Sequence, residues 1–180
     1  VSARAKAEIM RRYGDAEQAF FAPTGAFAAM ESIRQEDAET LERRDLDRAE
    51  RVIEACARQG LEIITYDDRA YPARLKNIFA PPPVLYVRGT LPRVDDNAVI
   101  AVVGTRRATD YGVRMARGIA GEIVRCGGIV ASGLTAGIDA AGAIGALGAG
   151  GTCIGVLGTA QELSEGKLAE EVAEYGALVS

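Results

Sequence analysis

Apolar and polar positions along the 180-residue chain change their period near residue 60. Before it, "SARAKAEIMRRYG" predicts a helix closing on Gly14. A longer helix is predicted from about Ala38 to Gln59, where Leu46, Ala49, Val52, Ile53, Cys56 and Ala57 recur every three or four residues as one buried face. Gly60 is placed to end it, and the charges of "ERRDLDRAER" form its solvated side. Beyond Gly60 the segments are short and strand-like: "LEIITY", then "VLYVRG" after the extended "PPP" of residues 81–83. "AVIAVVG" at 98–104 is continuously apolar and ends in glycine, which predicts a strand covered on both faces. A helix over about Tyr111–Arg125 follows, with Met115, Ile119, Ile123 and Val124 on one side. Strand "GIVAS", loop "GLTAG", a small-residue helix through Gly148, strand "TCIGVLG", a helix over about Ser164–Tyr175 and strand "ALVS" complete the pattern. Such alternation predicts an α/β fold of parallel βαβ units with helices on both faces of one sheet. The organisation is then a helical module over residues 1–60 and an α/β domain over 61–180.

Composition narrows the chemistry. With 48% hydrophobic and 26% charged residues the profile is that of an ordinary globular protein, and no apolar run approaches the ~20 residues of a membrane span. No secretory leader is visible, so a soluble, cytoplasmic protein is expected. The chain stops inside its last strand and starts within a helical module, so it is expected to be part of a longer protein. Cys56, Cys126 and Cys153 are far apart and lack CxxC spacing, which predicts buried small hydrophobes rather than disulfides or a zinc site. Histidine is absent, which removes the commonest general base, the usual catalytic triads and most transition-metal sites; neither metal nor cofactor is expected. The formal net charge of -4 conceals an asymmetry: residues 61–130 are net positive, whereas residues 131–180 carry Lys167 alone against six carboxylates.

In an open parallel sheet, ligands gather where strand C-termini turn into helices. Three loops qualify: "GTRRATDYG" (104–112), "SGLTAG" (132–137) and "GTAQELS" (158–164). The first fails as a dinucleotide fingerprint, because Gly104 is followed by Thr105 and Arg106 and the next glycine is Gly112; no phosphate-binding G-x-x-x-x-G-K-[ST] loop exists either. The loops do suit anions. Arg106 and Arg107 offer planar multi-donor groups, Gly133 and Gly137 let backbone come close, and the helix starting near Ala136 directs its positive end outward. The competing reading pairs either arginine with Asp110 or Asp139 merely to tie loops together. Tyr111 is expected to pack against the sheet rather than stack on a base. Ser132 lacks both a G-x-S-x-G context and an activating histidine, so it is no nucleophile, and Asp139 near a helix start reads as structural, orienting a loop.

Several strings together resemble the DNA processing protein A family (DprA, also called Smf): "YPARL", "PPPVLYVRG", "VGTR" followed by "TDYG", "SGLTAGID" and "GALVS", in that family's order from about residue 60 onward. The resemblance implies an extended Rossmann-like, mostly parallel sheet preceded by a small helical SAM-like module. It also implies a homodimer without catalysis that binds single-stranded DNA and hands it to the recombinase RecA in natural transformation or DNA uptake. Gly104, Thr105 and Arg106 fall on the family's G-[ST]-R, Tyr111 and Gly112 on its YG, and Ser132, Gly133, Leu134, Gly137, Ile138 and Asp139 on SGLxxGID. Arg107 joins them by adjacency and charge, and Lys76, with Arg74 and Arg88, would extend the basic path. The chain departs from the pattern at Ala136, often arginine in the family, at Ala143, often histidine, and after Gly158, where YPxxN is missing. The 180 residues contain no winged-helix segment, as expected of a truncated chain or a short member. The alternative is a nucleotide-binding or phosphoribohydrolase-like enzyme on a related scaffold, against which "GAGGTCIGV" lacks the proline and glutamate of PGGxGTxxE. A third reading is a degenerate member kept for protein contacts.

Overall fold

The structure is a computed structural model that describes residues 1–159 and 166–180. Two compact units emerge: Val1–Arg58 with Ile64–Leu85, and Gln59–Ile63 with Tyr86–Ser180. The division therefore runs differently from a single boundary at residue 60, because the segment through the proline run belongs with the helices.

In the first unit, α1 (Ala3–Tyr13) begins where Ser2 accepts from the Ala5 N–H at 3.2 Å and stops at Gly14, whose φ of 84° suits glycine. α2 (Ala16–Phe20) is capped by Asp15, which accepts from the Gln18 N–H at 2.7 Å. Ala5, Ile9, Ala19, Phe27, Met30, Ile33 and Ala38 form the core of these helices. The long helix predicted over 38–59 is instead two, α3 (Gln35–Glu42) and α4 (Leu46–Arg58). Arg44 breaks it: its φ is 50°, its guanidinium donates to the Ala22 carbonyl and lies 5.6 Å from the Phe20 ring centre, and Asp45 then caps α4. A tertiary anchor thus overrides local helix preference. Of the face predicted to be buried on α4 only Cys56 is buried; Leu46, Val52 and Ile53 are exposed. Amphipathicity makes a face able to be covered without supplying the cover.

The strands β1 (Glu62–Thr65), β2 (Val84–Gly89), β3 (Val99–Ala101), β4 (Ile129–Ser132), β5 (Cys153–Val156) and β6 (Ala177–Val179) form one sheet in the order β1-β2-β6-β5-β4-β3. β3, β4, β5 and β6 pair in parallel, while β2 pairs antiparallel with β6, Val87 opposite Val179. Between the parallel strands run α6 (Asp110–Arg125), α7 (Ile138–Gly148) and α8 (Lys167–Tyr175), and a four-residue helix α5 (Ala73–Lys76) precedes β2. Val130, Cys153 and Leu178 on one sheet face pack with Ala120, Ala143, Ala146, Ala169 and Val172 of the three helices, while Ile154, Ala177 and Val179 are buried on the opposite face. This is the mixed α/β architecture of a Rossmann-like fold.

Three expectations about burial change. β3 is an edge strand, not a covered one: Ile100 and Val103 are exposed. On α6 the buried residues are Ala116, Ala120 and Gly121, whereas Met115 and Ile119 are exposed. The cause is close helix packing on α7, where a Cβ at Gly145 would stand 2.4 Å from the Arg117 carbonyl oxygen, so only small residues fit the seam. Cys56 and Cys153 are buried as expected, but Cys126, just past the end of α6, is exposed; all three are free thiols.

Candidate nucleic-acid interface

The first two candidate loops meet at the C-terminal ends of β3 and β4, and hydrogen bonds clamp them together. Asp139, buried in the first turn of α7, accepts from the Gly104 N–H at 2.9 Å with Oδ1 and from the Thr135 hydroxyl at 2.9 Å with Oδ2. The Ile138 N–H donates to the Thr105 carbonyl at 3.2 Å. Ser132, also buried, donates its hydroxyl to the Asp139 carbonyl at 2.9 Å and accepts from the Leu134 N–H at 3.3 Å. Ser132 is thus occupied as a brace, and Asp139 orients loops, as its position in the sequence implies.

The glycines make room, but for protein rather than for a ligand. A Cβ on Gly137 would stand 2.2 Å from the Thr105 carbonyl oxygen, and one on Gly133 would stand 2.7 Å from Asp139 Oδ2. Gly137 has φ 89°, a conformation that L side chains rarely adopt, which lets the second loop lie directly on the first. The expected open N-terminus of α7 is therefore partly closed, since Thr105 takes the Ile138 N–H and the Asp139 carboxylate occupies the first turn. Leu134 has φ 55°, one of two non-glycine residues in that region among the described residues; its side chain occupies the space a Cβ at Gly155 on β5 would need. Backbone strain of this kind persists where surrounding contacts over-determine it.

Above this rigid base, Arg106 and Arg107 are exposed, and neither guanidinium has an ion pair or side-chain hydrogen bond among the described residues. The competing loop-tying pair does not form, because Asp139 is engaged by Gly104 and Thr135. Thr105 fixes the turn by accepting from the Arg107 N–H at 3.2 Å. Thr109 caps α6 by accepting from the Gly112 N–H at 3.1 Å, which places the positive end of a 16-residue helix directly after the arginines. Tyr111 in that first turn is 66% exposed, contrary to the expectation that it packs against the sheet. A cleft of about 310 Å³ adjoins the loops, lined by Gly133, Leu134, Thr135, Leu157, Gly166, Leu168 and Ala169. A larger one of about 570 Å³ lies between β3 and α6 and is lined mainly by apolar groups such as Ile100, Met115 and Ile119.

Lys76 belongs to the other compact unit, where its ammonium lies 4.8 Å from the Tyr66 ring centre and 5.7 Å from that of Tyr71. Its charge is directed at aromatic faces of the protein itself. Residues 160–164 of the third loop lie outside the described residues. Thr135 was missed by sequence reasoning; its spacing of four from Asp139 was the available signal. Ile138 was matched only as part of a motif, yet its side chain fills the space beside Gly104. Among the described residues no three His, Cys, Asp or Glu side chains group as metal ligands, and no helix is long and apolar enough to cross a membrane.

Comparison with known proteins follows the same motifs. Residues 62–180 match the family model described as DNA recombination-mediator protein A. The DNA processing protein DprA of Bacillus subtilis (strain 168) is 36% identical over 107 residues, covering 59% of this chain and 36% of that protein. Protein Smf of Synechocystis sp. is 39% identical over 126 residues, covering 66% of this chain and 32% of that protein. This chain thus spans about a third of the length of these relatives. The X-ray structure of DNA processing protein A from Streptococcus pneumoniae superimposes with a TM-score of 0.76 at 21% identity, covering 99% of this chain and 62% of that one. DNA processing protein A from Helicobacter pylori, in a structure described for its unique single-stranded DNA binding mode, matches 66% of this chain and 55% of its own with a TM-score of 0.53 at 24% identity. The strings "VGTR", "SGLTAGID" and "GALVS" therefore sit in a shared fold, and the chain belongs to the DNA recombination-mediator protein A family.

Proposed function

We propose that this chain binds single-stranded DNA through its phosphates at the clamped loops, as part of a non-catalytic recombination mediator. In this reading it acts in the cytoplasm as a homodimer and delivers the strand to RecA. The observation that carries the reading is the pair of exposed guanidiniums, Arg106 and Arg107, held without carboxylate partners among the described residues on a loop braced by Asp139. Such groups cost little to bring to a phosphate, because no ion pair among the described residues must break and the backbone is already positioned. Tyr111 beside them offers an aromatic face to a base. The binding mode described for the Helicobacter pylori protein and the DNA-processing names of the relatives support the same choice.

The test is fluorescence anisotropy with oligo-dT at several salt concentrations. Arg106→Ala is expected to weaken binding roughly tenfold and to lower the slope of log K against log salt by about 0.7, the share of one phosphate contact on a single strand. Equal binding by wild type and Arg106→Ala overturns the pocket. Release of free base from nucleoside monophosphates would favour the phosphoribohydrolase-like alternative. Co-sedimentation with RecA in the presence and absence of DNA tests the mediator step.

A further inference from the structure

We propose that single-stranded DNA held at the clamped loops continues along α6, where Arg114 and Arg117 take the next phosphates. This rests on the single-strand reading above and extends it by two residues that no motif points to. Tyr111, Arg114 and Arg117 are spaced by three, so they form one ridge on the helix surface, with neighbouring Cβ atoms about 5–6 Å apart. The ridge begins directly after the loop that carries Arg106 and Arg107, in the same compact unit, and its three side chains are exposed. From Asp110 to Arg117 the helix rises roughly 10 Å, which sets the length of the track. The stability of the helix does not account for the two arginines. Arg125 sits in the last turn, where a cation offsets the helix dipole, and it pairs with Glu122 at 2.7 Å. Arg114 and Arg117 stand earlier, and neither has an ion pair among the described residues. Arg117 has no carboxylate three or four residues away on either side, and Arg114 forms no pair with Asp110 although the spacing would allow one. The two guanidiniums instead neighbour each other at a spacing where like charges repel. Packing does not require them either: Arg117 meets α7 through its backbone, whose carbonyl oxygen a Cβ at Gly145 would approach to 2.4 Å.

Charge and continuity name the occupant. From Asn97 to Thr159 the chain carries Arg106, Arg107, Arg114, Arg117 and Arg125 against Asp110, Glu122 and Asp139. Arg125 is engaged by Glu122 and Asp139 is buried in its own hydrogen bonds, which leaves four arginines against Asp110 in that stretch. Of the flanking carboxylates, Asp96 pairs with Arg93 and Asp95 also has a partner. Glu170, Glu171 and Glu174 belong to α8, which the sheet order places on the far side of α7 from α6. A row of guanidiniums that leaves a phosphate-suited loop with the exposed Tyr111 ring in its path fits a flexible polyanion whose bases are open to stacking. A duplex supplies the phosphates but hides the base faces.

Anisotropy titrations with oligo-dT across a salt series test the track by comparing Arg114→Gln/Arg117→Gln with wild type. The double variant is expected to bind about tenfold more weakly at moderate salt, with the slope of log K against log salt shallower by about 1.4, the share of two phosphate contacts on a single strand. Its urea midpoint should match that of wild type, because both side chains are exposed. Arg114→Lys/Arg117→Lys keeps the charges and should keep the slope. Arg125→Gln removes one charge from the same helix at a paired position and should leave the slope unchanged. The proposal is overturned if the Gln double variant keeps the wild-type slope, or if Arg125→Gln lowers the slope as much as Arg117→Gln does. It is equally overturned if a duplex of the same length loses as much affinity as oligo-dT. Arg106→Ala separates this row from the loop. Lost binding in Arg106→Ala with an unchanged slope in the Gln double variant leaves the loop standing without the row. A silent Arg106→Ala with a shallower slope in the Gln double variant does the reverse.

Discussion

Replacing Gly137 with alanine tests whether the two loops act as one unit. Gly137 has φ 89° and ψ -125°, a conformation that costs a non-glycine residue roughly 1–3 kcal/mol. The new Cβ would also meet the Thr105 carbonyl oxygen at 2.2 Å and the Arg106 carbonyl carbon at 2.8 Å, where ordinary contact begins near 3.4 Å. Both neighbours are backbone and cannot rotate away, so the loops must part by roughly 1 Å, at a further cost of roughly 1–3 kcal/mol. The expected total is about 2–6 kcal/mol, read as a lowered urea midpoint by circular dichroism. Separation also breaks the Ile138 to Thr105 hydrogen bond and shifts the backbone that carries Arg106. Affinity for oligo-dT, measured where the variant is still folded, should therefore fall at least tenfold, the worth of one charge-assisted hydrogen bond to phosphate. An unchanged midpoint refutes the packing argument. A lowered midpoint with unchanged affinity refutes the claim that the clamp sets the binding geometry.

Other outcomes follow from the same contacts. Asp139→Ala removes the acceptor for the Gly104 N–H and the Thr135 hydroxyl and should cost roughly 1.5–3 kcal/mol in a denaturant titration, with Asp139→Asn restoring part of it. Gly118→Ala, on α6 with nothing within 4 Å of the new Cβ, should stabilise by roughly 0.5–1 kcal/mol in the same assay, the reverse sign from Gly137→Ala. In the native protein Cys126 should react with a thiol reagent at once, while Cys56 and Cys153 should react only on unfolding. Burial pushes the Tyr71 hydroxyl up to about 12, with the nearby Tyr66 adding to it, and pushes the Cys153 thiol up to about 12. Both groups favour the protonated form when folded, so their stabilisation is complete below the unfolded values near 10 and 9 and is lost as pH rises toward 12. Thermal midpoints should fall steadily across that range, and Tyr71→Phe should reduce the fall.

Much of the site could be read without coordinates, because its meaning is carried by residue type at fixed spacing. "VGTR" and "SGLTAGID" placed two loops at strand ends, and the failed glycine spacing after Gly104 excluded a dinucleotide fingerprint. What escaped was the direction of the interactions. Gly133 and Gly137 look like openings for a phosphate, yet their vacant positions are filled by Asp139 and by the Thr105–Arg106 backbone. Tyr111 looks like a core aromatic by type and is 66% exposed. Each error comes from reading a residue's capacity as its use.

The same distinction separates what sequence alone determined from what tertiary structure decided. Periodicity, helix-ending glycines and strand-like runs determined the order of the six strands and of α6, α7 and α8, because local backbone preferences and the two side-chain periods act within a few residues. Motif chemistry raised the expectation of an anion at the two glycine- and arginine-bearing loops of this histidine-free chain. Tertiary structure decided that β3 is an edge, that α6 turns its alanines and not Met115 and Ile119 toward α7, and that Arg44 splits one helix into two. It also decided that Arg106 and Arg107 stay unpaired among the described residues, since Asp139 is engaged by nearby Thr135 and by Gly104, 35 residues away in sequence, a separation that no local rule spans. Those outcomes depend on which surfaces meet and how closely, and close approach is a property of the packed chain as a whole.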